Sequence, residues 1–356
     1  MRAGWSTLPF FSRKSIPKTK VSVLIAARNE EANIGRTLSD ILAQQFPREL
    51  LEVIVVDDHS TDHTSAIVQT FAEQGVKLLK LDESEPLNSY KKKAISMAIA
   101  RATGELIITT DADCRMEANW LATVVAYAEE KGSFLVSSPV VYSQQQGFFE
   151  ELQTLEFLYL IGLGAAGIGN RQPSTCNGAN LAYRRDVFYE MDGFNGIDHL
   201  ASGDDELFLH KVAAKYPDKI GFCKSRDAIV YTDAKKDMQG FISQRRRWAS
   251  KSTHYKNKGI VALGVAIWSF NLLLLATGLA VLFFDTGRWL ALVLIAALAL
   301  KLLVETVFLY PLCRFAKRVS LLYYLPLLTL IHIVYMVYIG IAGNMGKYQW
   351  KGRRVN

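Results

Sequence analysis

Between residues 21 and 110, short unbroken apolar runs alternate with stretches whose apolar residues recur every three or four positions. Val21, Val23, Leu24, Ile25 and Ala26 form the first run, and Ile34, Leu38, Ile41 and Leu42 share one face of a following helix. Runs at 51–56, 76–81 and 105–110 predict three more strands. Ile67, Val68 and Phe71, then Ala94, Ile95, Ala98 and Ile99, predict the helices between them. Such alternation predicts an α/β domain whose parallel sheet carries helices on both faces. A further strand is expected at 134–141.

The rhythm changes after residue 257. Apolar stretches at 260–284, 289–312 and 321–342 are each near or above the ~20 residues that cross a bilayer. The second carries Lys301 and Glu305, which stand four apart and can pair on a helix. The expected order is a basic juxtamembrane segment (1–20), a catalytic domain (21–235), an interfacial segment (236–258), then a C-terminal α-helical transmembrane domain with a basic tail (259–356). Residues 1–20 hold a short apolar cluster and then Arg13, Lys14, Lys18 and Lys20, which is no export signal. The expectation is a multi-pass protein of the cell (inner) membrane with its catalytic domain cytoplasmic. Charge around the third stretch conflicts with three crossings, because Lys347, Lys351, Arg353 and Arg354 would end on the far side. A re-entrant or interfacial third stretch would resolve that conflict.

A net charge of +7 changes this picture little. Much of the basic excess sits at Arg13, Lys14 and Lys18, at Arg245, Arg246 and Arg247, and in the tail, so anionic headgroups explain it more simply than nucleic acid. The cysteines at 114, 176, 223 and 313 form no Cys-x-x-Cys pair, which argues against a disulfide framework or a zinc ribbon.

Candidate chemistry gathers at strand ends, where open α/β sheets bind ligands. Asp111 and Asp113 stand two apart beyond the run 106–108, so both carboxylates can face one point. Two hard oxygen donors suit Mg²⁺ or Mn²⁺ completed by substrate phosphates. Arg28 and Glu30 follow the first strand, and Asp57, Asp58, His59 and Asp62 follow the second. Lys91, Lys92 and Lys93 open the third helix, either as phosphate contacts or as a solvated face. His59 and His63 lack a third ligand and are expected in a hydrogen-bonded loop. Gly162-Leu163-Gly164-Ala165-Ala166-Gly167 matches a dinucleotide-binding string but opens no helix, and its small residues suit close packing or membrane contact. Asp204, Asp205 and Glu206 form either an ordinary helix start or the place of a catalytic base. Gln244, Arg247 and Trp248 share a helical face just before the first apolar stretch, as a basic interfacial belt or as a grip for diphosphate and acceptor.

Taken in order, Ala27-Arg28-Asn29-Glu30, Asp57-Asp58 with Ser60 and Asp62, Asp111-Ala112-Asp113, Asn177-Gly178 with Arg184-Arg185, Gly203-Asp204-Asp205 and Gln244-x-x-Arg247-Trp248 resemble the membrane-attached family 2 glycosyltransferases. The resemblance implies a GT-A nucleotide-sugar-binding (Rossmann-like) fold and inverting transfer from a nucleotide-sugar, a UDP-sugar first. By the same resemblance Arg28, Glu30, Asp57, Asp58, Lys91, Asp111, Asp113 and Arg247 bind the donor, with Asp111 and Asp113 on Mg²⁺ or Mn²⁺. Asp205 is the base, with Asp204 beside it, and Asn177, Gly178, Gln244 and Trp248 meet the acceptor. Tyr90 stands where the family often has glycine before Lys91, and many relatives begin with a transmembrane helix. Three functions compete: transfer of one sugar to a membrane lipid or lipid-linked acceptor, processive polysaccharide synthesis with a homo-oligomer or partner subunit, and non-catalytic binding of sugar nucleotides.

Overall fold

The computed structural model describes residues 2–83, 87–143, 147–251, 255, 257–343, 348–350 and 353–355. Lys347 and Lys351 of the basic tail lie outside the described residues. Two compact units are present, Met1–Gln144 with Leu160–Asp233 and Gln145–Tyr159 with Ala234–Arg354.

The first unit opens on helix α1 (Arg2–Thr7) and strand β1 (Val21–Ala27), followed by α2 (Ile34–Leu42), β2 (Leu51–Asp57), α3 (Thr64–Gln69), β3 (Val76–Lys80), α4 (Tyr90–Arg101) and β4 (Leu106–Asp111). β1, β2 and β4 are buried almost throughout, as expected for strands covered on both faces. β5 (Arg115–Met116), α5 (Trp120–Lys131), β6 (Leu135–Ser137) and β7 (Val140–Tyr142) lead into α6 (Phe148–Gly169), which supplies residues to both units. β8 (Leu181–Arg184), α7 (Arg185–Glu190), α8 (Glu206–Lys215), β9 (Ile220–Phe222) and β10 (Val230–Thr232) complete it.

The main sheet runs β3-β2-β1-β4-β8-β6-β9 and is mixed rather than wholly parallel, because β8 is antiparallel to both β4 and β6. An apolar run fixes that a strand forms but not its direction, which here follows from the return of the chain after α6. This reversal matters: Leu181 faces Thr109, so the residues leading into β8 land at the carboxyl end of β4. The expected strand at 134–141 is two strands. β6 joins the main sheet, while β7 joins a second sheet of order β5-β10-β7.

The first residues fold onto this unit. Trp5 is buried under the Lys224 ammonium, 4.2 Å from its ring, and Lys224 Nζ donates to the carbonyls of Trp5 and Leu8 at 2.8 and 2.9 Å. The glycine string lies inside α6, where a side chain on Gly164 would come within 2.8 Å of the Thr175 carbonyl. Close packing therefore explains those small residues.

In the second unit, α9 (Met238–Ser250), α10 (Lys258–Phe283), α11 (Gly287–Phe315) and α12 (Leu325–Ala342) follow. Among the described residues, four helical segments are long and apolar enough to cross a membrane: Phe148–Gly169, Lys258–Phe283, Gly287–Phe315 and Val319–Ala342. The expected Lys301–Glu305 pair forms, and Thr329 donates to Glu305 at 2.6 Å.

Candidate active site

The loops after β1 and β2 are laced together. Arg28 Nη1 donates to the carbonyls of Asp58 and His59 at 2.8 and 3.1 Å, and Asn29 and His59 adopt φ of 51° and 54°. The Glu30 amide donates to Thr64 Oγ1 at 2.7 Å, and the Thr61 amide to Asn29 Oδ1 at 2.8 Å. Asp57 accepts from the Ser60 amide at 3.2 Å and from the Ser65 hydroxyl at 2.6 Å, so it braces its own loop. Asp58 is 2% exposed and lies 3.1 Å from His59 Nδ1. His63 bonds Glu31 at 2.8 Å, and both histidines belong to hydrogen-bonded loops as expected.

At the end of β4, ligand atoms of Asp111, Asp113 and Cys114 lie within 4.8 Å of one another. Burial, then the charges of Asp111 and Asp113, push the Cys114 thiol well up, so it stays protonated. The usable donor set is two carboxylates, which fits a hard divalent cation. Lys91 Nζ lies 2.9 Å from Asp111 and 3.4 Å from Asp204. Burial alone would lower this ammonium's pKa, but Asp111, Asp204 and Asp205 outweigh it and raise it. The lysine run is thus divided: Lys91 meets the acidic group, and Lys92 is buried elsewhere.

The antiparallel course of β8 delivers Asn177 and Gly178 to the same edge. Asn177 Oδ1 accepts from the Ala179 amide at 2.9 Å, and Thr109 Oγ1 donates to the Gly178 carbonyl at 2.9 Å. Asn180 is structural, taking Trp120 Nε1 at 3.0 Å and donating to the carbonyls of Pro139 and Ala228. Asp205 caps α8: its carboxylate accepts from the Glu206 amide at 2.7 Å and from the Gly178 amide at 2.9 Å. A side chain at Gly178 would sit 3.3 Å from Asp205 Cβ, so glycine permits this approach. Glu206 accepts from Thr175 Oγ1 at 2.8 Å. Asp111, Asp113, Lys91, Asp204, Asp205 and Gly178 therefore share one edge of the first unit.

Gln244, Arg247 and Trp248 lie on α9 in the second unit. Arg245, expected near anionic headgroups, is instead 2% exposed and pairs with the buried Glu156. Its guanidinium lies 4.6 Å from the Phe241 ring and 4.4 Å from the Trp248 ring, and it donates to Gln244 Oε1 at 2.6 Å. Trp248 also stacks on Phe157 at 6.0 Å. A lone glutamate in the apolar run around 155–160 was the signal that could have found this pair.

A mixed α/β sheet with an acidic edge defines a GT-A-like fold. The match is direct over residues 22–192, which fit the model of Glycosyl transferase family 2. Residues 22–192 carry that domain. It is 29% identical over 262 residues to "Probable glycosyltransferase YdaM" of Bacillus subtilis, taking in 70% of this chain and 60% of that one. It is 31% identical over 113 residues to the beta-monoglucosyldiacylglycerol synthase of Synechocystis, covering 32% of this chain and 24% of that one. The matches thus span under two thirds of these relatives. Among solved structures, the mannosyltransferase PcManGT of Pyrobaculum calidifontis, in complex with GDP-Man and Mn²⁺, is similar in fold, with a TM-score of 0.56 at 21% identity over 94% of this chain and 93% of that one.

Proposed function

We propose that this protein transfers one sugar, with inversion, from a nucleoside-diphosphate donor to a hydroxyl of a membrane lipid or lipid-linked acceptor. The observation that carries the reading is the convergence of Asp111, Asp113, Lys91 and Asp205 at one sheet edge, with Gly178 holding the Asp205 carboxylate. Asp205 takes the acceptor hydroxyl's proton as that oxygen attacks the anomeric carbon. The bond from that carbon to the diphosphate oxygen breaks, and its electron pair leaves with the diphosphate. Lys91, with Arg247, offsets the charge that grows there. A Mg²⁺ or Mn²⁺ ion on Asp111 and Asp113 would supply Lewis-acid stabilisation of the same oxygens. Asp58 is the better candidate for base or ribose, since Asp57 braces its loop; Arg28 and Glu30 shape that pocket. Asn177, Gln244 and Trp248 remain the proposed acceptor contacts, and a UDP-sugar the first donor to test. The proposed setting is a multi-pass inner-membrane protein with residues 21–235 cytoplasmic.

The test is release of nucleoside diphosphate from a panel of UDP- and GDP-sugars by the full chain in native-membrane lipids with Mn²⁺ or Mg²⁺, followed by product sizing. Asp205→Asn is expected to lower kcat by about 100- to 10,000-fold while nucleotide binding persists. A one-sugar lipid product supports the proposal. A ladder of products favours a polymerase, and full biological activity in Asp205→Asn favours a non-catalytic binder.

A further inference from the structure

Lys92 is 2% exposed, yet it lies in the first turn of a helix beside two other lysines. Burying an ammonium costs several kcal/mol unless it is fully engaged. Here Nζ donates to the backbone carbonyls of Leu200 and Ser202, at 2.5 and 2.8 Å. Those carbonyls belong to the segment that delivers Asp204 and Asp205. Its next residue, Gly203, has φ of 86°, and a side chain there would come within 2.8 Å of Leu207. Asp204 then meets Lys91, and Asp205 accepts from Gly178. The segment is therefore held by Lys92 before the glycine turn and by Gly178 after it. Adjacent residues of α4 grip both its backbone and its first carboxylate.

We infer that Lys92 is a positioning residue for transfer, fixing the Asp204–Asp205 carboxylates against the donor edge without itself touching substrate. This rests on the reading of Asp205 as the base. An apolar side chain at residue 92 would leave the carbonyls of Leu200 and Ser202 without the donor that holds them, so Lys92 sets the course of this segment.

The test compares the full chain with Lys92→Met, which keeps the stem but removes the donors, and Lys92→Arg, which keeps a cation. Hydrogen exchange is read on amides 199–206 and, as an internal control, on 106–113. Calorimetry reads UDP and GDP binding with Mn²⁺, and kcat is taken with the donor selected by the panel. Lys92→Met is expected to speed exchange in 199–206 alone and to lower kcat about 10- to 100-fold, as an ångström-scale displacement does. Nucleotide binding should stay within about 2-fold, and Lys92→Arg should recover part of the kcat. In the double variant with Asp205→Asn, the two losses should not multiply, because they act through one group. Unchanged kcat in Lys92→Met overturns the inference, as does equal loss of nucleotide binding and of protection at 106–113. Full kcat in Asp205→Asn alone sinks the base assignment instead, and selective loosening of 199–206 would then still place Lys92 as the clamp of that segment.

Discussion

Lys91 offers the clearest sign test at the scale of one residue. Its pKa is raised because neighbouring carboxylates outweigh burial, so it stays charged below the ordinary lysine value of about 10.4 and loses its proton only well above it. That ammonium repels a cation at Asp111 and attracts a diphosphate. Lys91→Met should bind Mn²⁺ alone about 3- to 10-fold more tightly and nucleoside diphosphate with Mn²⁺ more weakly, both by calorimetry at pH 7. Equal weakening of both would mean that Lys91 organises the carboxylates rather than competing with the ion. Strand-end logic made the placement of Asp111 and Asp113 legible in the sequence, because a strand's carboxyl end is a known position on an α/β sheet. It did not separate Lys91 from Lys92, since three consecutive lysines leave the helix's inward direction open. Nor did it find that Asp57 is tied up by Ser60 and Ser65, contacts set by the loop's fold rather than by residue type.

Elements were legible where apolar periodicity was strong, and their directions were not. β8 shows why: its reversal brings Asn177 and Gly178 to the site, yet a four-residue strand reads the same in either direction. Glu52 of β2 was hidden for a related reason. It is 7% exposed and accepts from Ser22, from Lys77 at 2.6 Å and from the Thr103 amide at 2.8 Å, tying the starts of three strands to the turn before β4. Burial pushes its pKa up, but Lys77, Ser22 and Thr103 together hold it below the usual carboxylate value. The stability from a depressed acid is fully present above its unfolded pKa of about 4.3 and disappears as pH falls through the lower folded value. Glu52→Gln should therefore lower the unfolding midpoint at pH 7, with the gap to the parent closing below about pH 4. A constant gap across pH would assign the loss to packing. The Glu156–Arg245 pair behaves differently, because each charge depends on the other for its burial. Glu156→Leu or Arg245→Met alone should cost about 3–5 kcal/mol of stability, and both together less than either single change, in thermal unfolding of the detergent-solubilised protein.

At the scale of the whole molecule, four candidate spans do not mean four crossings. If α6 crossed, β4 and β8 would lie on opposite sides of the bilayer, yet they pair in one sheet. α6 is therefore a packed helix, as its burial also suggests. α12 packs on α10, where Trp268 Nε1 donates to the Val337 carbonyl at 3.3 Å, and on α11, where Thr329 donates to Glu305, and it also meets α6 and α9. Just before its start Tyr324 packs on Phe148 of α6, in its middle Tyr335 meets Phe241 of α9 and lies 3.4 Å from Glu156, and at its end the Ala342 carbonyl accepts from Arg246 of α9 at 3.2 Å. Leu327, Leu330, Ile331, Val334, Tyr338 and Ile341 form its one exposed stripe, as expected of a helix half-sunk in an interface. α10 and α11 show apolar side chains more widely and suit a pair of crossings. We propose that α12 lies at the interface with both ends on the side where α10 begins, which returns the basic tail to that side and removes the conflict with the positive-inside rule. The measurement is labelling of intact cells with a membrane-impermeant maleimide, in chains whose four native cysteines are replaced. A cysteine at Asp285, between α10 and α11, should react from outside, whereas one at Asn356 should react only after permeabilisation. Labelling of Asn356→Cys from outside would make α12 a third crossing, and the tail's arginines would then stand against the charge rule.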